Sequence, residues 1–398
     1  MKGTIALAIG LMGTLSGSSA HAARVIVAAV SSSAPASAPY DPPPGQQPFF
    51  PASPFLKQLP ASPNVTPNSA SMLSYFQSCC GNGPFQFRPI RVFASLPNTK
   101  EIAFPIYYNH SGSNTPVTIN CTRKYGGKPC NVQGMTVYVD VREIPQGQSD
   151  GHWVLIDPAA GYEYVLYQTQ WPPANGVLTV DYGGRCALSG TGFTNPSYSG
   201  PAWNAGCLGD ASGTPLSVGT VRAKDWLAAL NTPDGVLPGA ISYAIACDGV
   251  SANAGGAMPA PFPPTHGDGC LPQNEAPAEG SRIFLAMHDA QVNALGVPPL
   301  SKVLLRTLDE DHYGAIMVDT GGKGYSGLGV NVESDSTYEA WGQPGPWLNA
   351  WLPQAQAEGL PGATSPYPSG GSTMWSVSIP VTGVSWSNLV VCADPYCA

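Results

Sequence analysis

Ten cysteines, Cys79, Cys80, Cys121, Cys130, Cys186, Cys207, Cys247, Cys270, Cys392 and Cys397, restrict what this chain can fold into more than any other feature. An even count suits a disulfide framework, provided the chain matures in an oxidising compartment. The first residues point to one. Lys2 gives a positive n-region, Ile5 to Leu15 an apolar stretch broken by Gly10 and Gly13, and Ala20-His21-Ala22 a small-x-small cleavage site. Residues 1–22 are therefore expected to be a signal peptide, with a secreted, extracellular or periplasmic, protein starting at Ala23 or Arg24. The apolar stretch is shorter than the roughly 20 residues of a membrane span, so no membrane insertion is expected.

Sequence proximity suggests the pairs Cys121–Cys130, Cys186–Cys207, Cys247–Cys270 and Cys392–Cys397, which leaves Cys79 beside Cys80. A bond between adjacent residues is strained, so pairing of Cys79 or Cys80 with Cys392 or Cys397 is an alternative. Metal binding is the weaker use of these residues. There is no CxxC pair, and His152, His266, His288 and His312 show no spacing of the HExxH type, so neither metal nor other cofactor is expected.

Charged residues make up 11% of the chain, against about 25% in an average protein, while 46 Gly and 42 Pro mark a loop-rich chain with few helical surfaces. A net charge of −8 with only 17 Lys plus Arg argues against nucleic acid or an anionic membrane as partner, since both need a basic patch. A neutral partner fits better. So few ionisable groups also generate little charge repulsion in acid, which predicts acid tolerance.

Residues 31–70 are rich in Ser, Ala and Pro, including Pro42-Pro43-Pro44, and 23–70 is expected to be a flexible or polyproline-type leader. Order is expected from about Ser71, in a β-sandwich domain over 71–398 or two packed subdomains. Strand signals recur at Phe85 to Phe93, Glu101 to Tyr108, Pro116 to Cys121, Gly134 to Val141, His152 to Asp157, Tyr162 to Gln168 and Gly176 to Tyr182. Pro158-Ala159-Ala160-Gly161 joins two of them as a hairpin. Helices are expected at Ala223 to Leu230 and Pro299 to Glu310, the second carrying the stripe Leu300, Val303, Leu304, Leu308 and running through Asp311-His312-Tyr313-Gly314 into a strand at Ala315 to Val318. A last strand pair is expected at Met374 to Pro380 and Ser387 to Cys392. The fold class is mainly β: an antiparallel, jelly-roll-like β-sandwich with one or two short helices, stapled by disulfides.

The segment from His152 to Gly321 resembles a set of secreted bacterial β-sandwich proteins of unassigned activity. The likeness rests on His152 to Asp157 (His-x-apolar-Asp), Asp210-Ala211-Ser212-Gly213-Thr214-Pro215-Leu216, Gly219-Thr220-Val221-Arg222, Gly239 to Ile245 and Gly314 to Gly321. It implies a secreted β-sandwich. Where those proteins often carry a His in the Gly-x-Ile-x-His-Ala-Leu strand, this chain has Tyr243. The β-sandwich glutamic peptidases match only superficially, at Trp153 to Asp157.

Candidate catalytic residues are Asp319, His152, Asp210, Asp289 and Asp157, each with an ordinary structural alternative. Asp319 ends an apolar strand before Thr320-Gly321-Gly322, where backbone can approach a ligand, but an Asx-turn would use it equally. His152 heads a strand and suits a proton shuttle or a structural hydrogen bond. Asp157 suits the turn, Glu163 faces either solvent or a cleft, and Asp210 with Arg222 suits an ion pair as well as a site. Arg222, Tyr164, His288 and Trp341 are candidate substrate contacts, since aromatic rings suit sugar faces, although they suit cores as well. No Gly-x-Ser-x-Gly elbow, phosphate loop, dinucleotide fingerprint or EF-hand loop is present. The leading expectation is a glycoside hydrolase acting on an extracellular polysaccharide or oligosaccharide through paired carboxylates. A non-catalytic carbohydrate-binding or cell-surface protein and an exported acid peptidase are the alternatives.

Overall fold

The computed structural model describes residues 42–45, 49–79, 84–108, 115–123, 130–148, 150–192, 207, 213–233, 235–245, 277, 279–320, 327–393 and 396–398, without the side chains of 75–79, 319 and 320. The signal-peptide segment, Cys80, Asp210, Cys247 and Cys270 lie outside it.

The expected hairpin is present. Trp153–Asp157 pairs antiparallel with Tyr162–Tyr167, Asp157 facing Tyr162. Asp157 takes the Ala160 amide on Oδ1 and the Gly161 amide on its carbonyl, both at 2.8 Å, while Gly161 adopts φ 78°. That left-handed conformation carries little penalty for glycine alone.

These two strands sit inside a four-stranded sheet ordered Ile106–Tyr108, Trp153–Asp157, Tyr162–Tyr167, Tyr182–Ala187. Trp153 and Leu155 pack with Val117, Ile119, Leu178 and Val180 of a three-stranded sheet ordered Thr136–Val139, Thr115–Cys121, Val177–Val180. Val154 and Ile156 point the other way, into a core shared with Ile316 and Val318. A strand covered on both faces has no polar side, and so Trp153-Val154-Leu155-Ile156 is an unbroken apolar run.

Ile316 and Val318 belong to a five-stranded sheet ordered Gly329–Val330, Ile241–Ile245, Ala315–Thr320, Arg282–Leu285, Leu389–Val391. The two expected helices, Ala223–Leu230 and Pro299–Leu308, share its opposite core: Leu300, Val303, Leu304 and Leu308 pack with Ile241, Tyr243, Ile283 and Met317. Trp226 donates its indole N–H to the Leu300 carbonyl at 3.0 Å and meets the rings of Trp347 and Trp351. These tryptophans are core residues. Further short helices occur at Ser69–Cys79, Asp289–Ala294, Ser336–Glu339 and Leu352–Ala357.

Strands dominate and most pairings are antiparallel, as expected, but among the described strands three pairings are parallel: Ile106–Tyr108 with Trp153–Asp157, Thr115–Cys121 with Val177–Val180, and Ile241–Ile245 with Ala315–Thr320. In each case the chain leaves a strand, passes through other elements and returns beside it, and such crossovers bring strands back parallel. The expected final pair also separates. Ser372–Val377 joins Ile90–Phe93 and Tyr367–Ser369, whereas Leu389–Val391 joins Arg282–Leu285.

Part of the segment expected to be a leader packs into the body. Phe50 and Phe55 are fully buried, with Phe49 in the same cluster, and Pro54–Leu56 forms a 3-10 turn. Arg282, itself fully buried, donates to the carbonyls of Tyr313, Lys57 and Pro54. Averaging composition over forty residues hides three phenylalanines that suffice to anchor the segment.

Cys121–Cys130, Cys186–Cys207 and Cys392–Cys397 are disulfides, with Cα separations of 6.2, 5.0 and 5.0 Å. The last removes both C-terminal cysteines as partners for Cys79 or Cys80. Such bonds fit an oxidising compartment. Among the described residues no helix is long and apolar enough to cross a membrane.

Candidate functional site

Strand ends of the two facing sheets leave an open groove of about 790 Å³. Thr122 follows one strand, Gln168, Thr169, Gln170 and Trp171 follow another, and Asp181 separates two more; the segment Ile144 to Gln148 with Gly151 forms the opposite wall. Two glycines permit the walls to close. A Cβ on Gly147 would lie 2.4 Å from the Asn98 carbonyl oxygen, and Gly151 has φ 49° with the Thr169 amide nitrogen 3.2 Å from its Cβ position. Gln168 takes φ 51° without being glycine, a conformation that costs about 1 kcal/mol or more and concentrates at ligand sites.

The lining is rich in amides. Gln146 donates to the Ala103 carbonyl at 3.0 Å and accepts from Gln148 at 3.2 Å, and Gln148 Nε2 also donates to Asp150 Oδ2 at 3.0 Å. The Thr169 hydroxyl is shielded from solvent and has no hydrogen-bond partner. Trp171 rests edge-on against the fully buried Trp153, ring centroids 4.9 Å apart, so one part of the ring is fixed while the rest meets the groove. Asp181 pairs with Arg123 at 3.0 Å and accepts from Thr122 Oγ1 at 3.0 Å. Burial raises the Asp150 carboxyl above its ordinary range.

The residues singled out from the sequence do not converge here. His152 does stand at a strand start behind Gly151, but its ring is buried between Phe104 and Tyr167, centroids 5.2 and 5.3 Å away. Asp157 binds its own turn. Arg222 forms a two-pronged ion pair with Asp225, at 2.7 and 2.8 Å, and holds the Pro42 carbonyl at 2.9 Å. Tyr164 is buried in the core between the facing sheets, and Trp341 lies under the Arg142 guanidinium, 4.0 Å from its ring centroid. Asp319 follows a register shift in its strand, opposite Ala244; its side chain and Asp210 are outside the described residues. Glu163 is fully buried and accepts the amides of Leu216 and Ser217 at 2.8 and 3.2 Å and the Ser217 hydroxyl.

His288 and Asp289 belong to a second cluster. A bridge between Leu285 and Asp309 runs the segment before helix Asp289–Ala294 alongside the end of helix Pro299–Leu308. His312 Nδ1 then lies 2.8 Å from Asp309 Oδ1 and 3.7 Å from Asp289 Oδ1. The exposed His288 bridges Glu310 and Asp311, each at 3.1 Å. Burial pushes the Asp309 carboxyl up to about 6, with the neighbouring Asp289 adding to the shift and His312 opposing it. Sequence spacing offered no motif for this set, because its members come from two segments joined only by the fold.

No protein-family model, curated protein or solved structure matches the chain.

Proposed function

We propose that this is an exported protein that binds a segment of neutral polysaccharide in the amide-lined groove. One observation carries the reading: Gln146, Gln148, Gln168, Thr169 and Gln170 line the same groove as Trp171, a tryptophan braced by Trp153. Sugar hydroxyls need paired donors and acceptors without net charge, which amides and hydroxyls supply, and an apolar sugar face stacks on an indole ring. The left-handed backbone of Gln168 is a strained feature of the kind that concentrates at ligand sites. A chain low in charge and poor in basic residues fits the same neutral partner. The signal-like N-terminus and the three disulfides support export.

Binding to a panel of soluble and insoluble neutral polysaccharides tests this. Wild type should bind at least one, and Trp171→Ala should weaken binding by about tenfold, the loss of one stacked ring at 1–2 kcal/mol. Equal retention of both proteins on every glycan would sink the reading.

Hydrolysis is the second reading, favoured by one observation: Asp181 lines the groove and Asp150, its carboxyl raised by burial, is hydrogen-bonded to the lining Gln148. Glycoside hydrolysis uses a pair of carboxyl groups flanking the scissile bond, and these two lie at or beside the groove. Release of reducing ends that disappears in both Asp150→Asn and Asp181→Asn would establish it; binding without release leaves a carbohydrate-binding protein.

A further inference from the structure

We infer that Asp289, Asp309 and His312 form a binding site for one divalent transition-metal ion, best suited to Zn²⁺. The site is independent of the groove and of the glycan reading. Their donor atoms all lie within 4.8 Å of one another. Tetrahedral Zn²⁺ holds nitrogen and carboxylate oxygen at about 2.0–2.2 Å, which sets ligand atoms about 3.3–3.5 Å apart. The observed His312 separations of 2.8 and 3.7 Å bracket that spacing, so shifts of roughly half an ångström would bring His312 into range with both carboxylates. Solvent reaches the cluster, since the Asp289 side chain is 31% exposed and that of His312 13%.

Asp309 is the observation that separates this cluster from an ordinary acidic patch. It is fully buried, and its Oδ2 has no hydrogen-bond partner. Its position is electrostatically poor in three ways: removed from water, beside Asp289, and at the C-cap of helix Pro299–Leu308, where the helix end is itself partly negative. Arg306 on that helix donates to the carbonyls of Pro233 and Lys302 rather than to Asp309. The His312 imidazole and the Asp311 amide, at 2.8 and 3.1 Å, both meet Oδ1, so Oδ2 is left without compensation for that negative potential. A divalent cation would take the free Oδ2 or Oδ1 of Asp309, Oδ1 of Asp289 and, after loss of its proton to solvent, Nδ1 of His312. Mixed imidazole and carboxylate donors favour Zn²⁺ or its first-row neighbours over Ca²⁺ and Mg²⁺, which prefer oxygen throughout. Two of these residues belong to the run Asp309-Glu310-Asp311-His312, and the Leu285–Asp309 bridge, with the hydrogen bond from the Asp289 amide to Asp311 Oδ2 at 2.9 Å, brings Asp289 to them.

Isothermal titration of the purified full chain with Zn²⁺, Mn²⁺ and Ca²⁺, together with metal analysis after dialysis, decides the matter. We expect one Zn²⁺ per chain, bound more tightly than Mn²⁺ and much more tightly than Ca²⁺. Asp309→Asn and His312→Gln should each weaken Zn²⁺ binding by about 100-fold, at least the loss seen when an outer partner of a metal site is removed. Should Asp309→Asn fail to fold, the partly exposed Asp289→Asn provides the same readout. His288→Ala should leave binding unchanged. No stoichiometric Zn²⁺ binding by wild type, or a loss of binding that follows His288→Ala instead of His312→Gln, overturns the assignment.

Discussion

The Ser334 hydroxyl donates to Oε1 of Glu101, a carboxyl only 1% exposed whose Oε2 has no hydrogen-bond partner. Burial pushes Glu101 up to about 8 against the pull of that hydrogen bond, and does the same to Glu143, also to about 8, and to Asp335, to about 6. Each folded-state value lies above that of the unfolded chain. Between about pH 4.5 and 8 the folded protein therefore holds protons that the unfolded chain has released, so stability is fully present below that window and declines as pH rises through it. Thermal unfolding should show a midpoint several degrees higher at pH 4.5 than at pH 8.5. A midpoint that falls in acid would contradict both this account and the acid tolerance expected from the low charge content.

Glu101→Gln isolates one group. The amide keeps an oxygen for Ser334 but never ionises, so the variant should gain stability over wild type at pH 8.5 and differ little at pH 4.5. Parallel thermal scans at the two pH values check it; an equal shift at both would mean that Glu101 does not titrate in the folded protein.

Glu163 anchors rather than reacts. Glu163→Ala leaves two amides without their acceptor and opens a buried space, at a cost of about 3 kcal/mol in urea unfolding. Glu163→Gln should cost about 1 kcal/mol or less, because the Ser217 hydroxyl can turn to accept from the new amide. Glycan binding by Glu163→Gln should match wild type, since the residue lies apart from the groove lining.

The Arg222–Asp225 pair ties residues 42–45 to helix Ala223–Leu230, because Arg222 also holds the Pro42 carbonyl and Asp225 accepts the Gly45 amide at 2.7 Å. Arg222→Ala strands a buried carboxylate and should cost about 3 kcal/mol. The double variant with Asp225→Ala should cost less than the two single losses added together, a coupling that denaturant titrations would read directly.

Local features were legible because they depend on near neighbours. The Asp157-to-Gly161 turn, the strands on either side, the helix Pro299–Leu308 with its apolar stripe and the three short-range disulfides each follow from residues a few positions apart. The helix Asp289–Ala294 was not, since six residues with one buried apolar side chain give no helical period. Nor was the strand Tyr182–Ala187, whose interior Gly183-Gly184 reads as a break in sequence but fits a sheet where the Leu166 side chain would crowd a Cβ on Gly183.

By itself, then, the sequence determined the β-rich character, the short-range disulfide spacing and the low content of charged residues, all properties of residue type and short spacing. Tertiary structure alone decided where the chemistry sits. Parallel pairs such as Ile106–Tyr108 with Trp153–Asp157 place the ends of distant strands together, which assembles Thr122, Gln148, Trp171 and Asp181 around one groove. The same long-range packing turns His152 and Glu163 inward and carries Asp289 to Asp309 and His312. Proximity between residues far apart in sequence is set by which apolar faces cover one another, and that choice is made by the whole core at once.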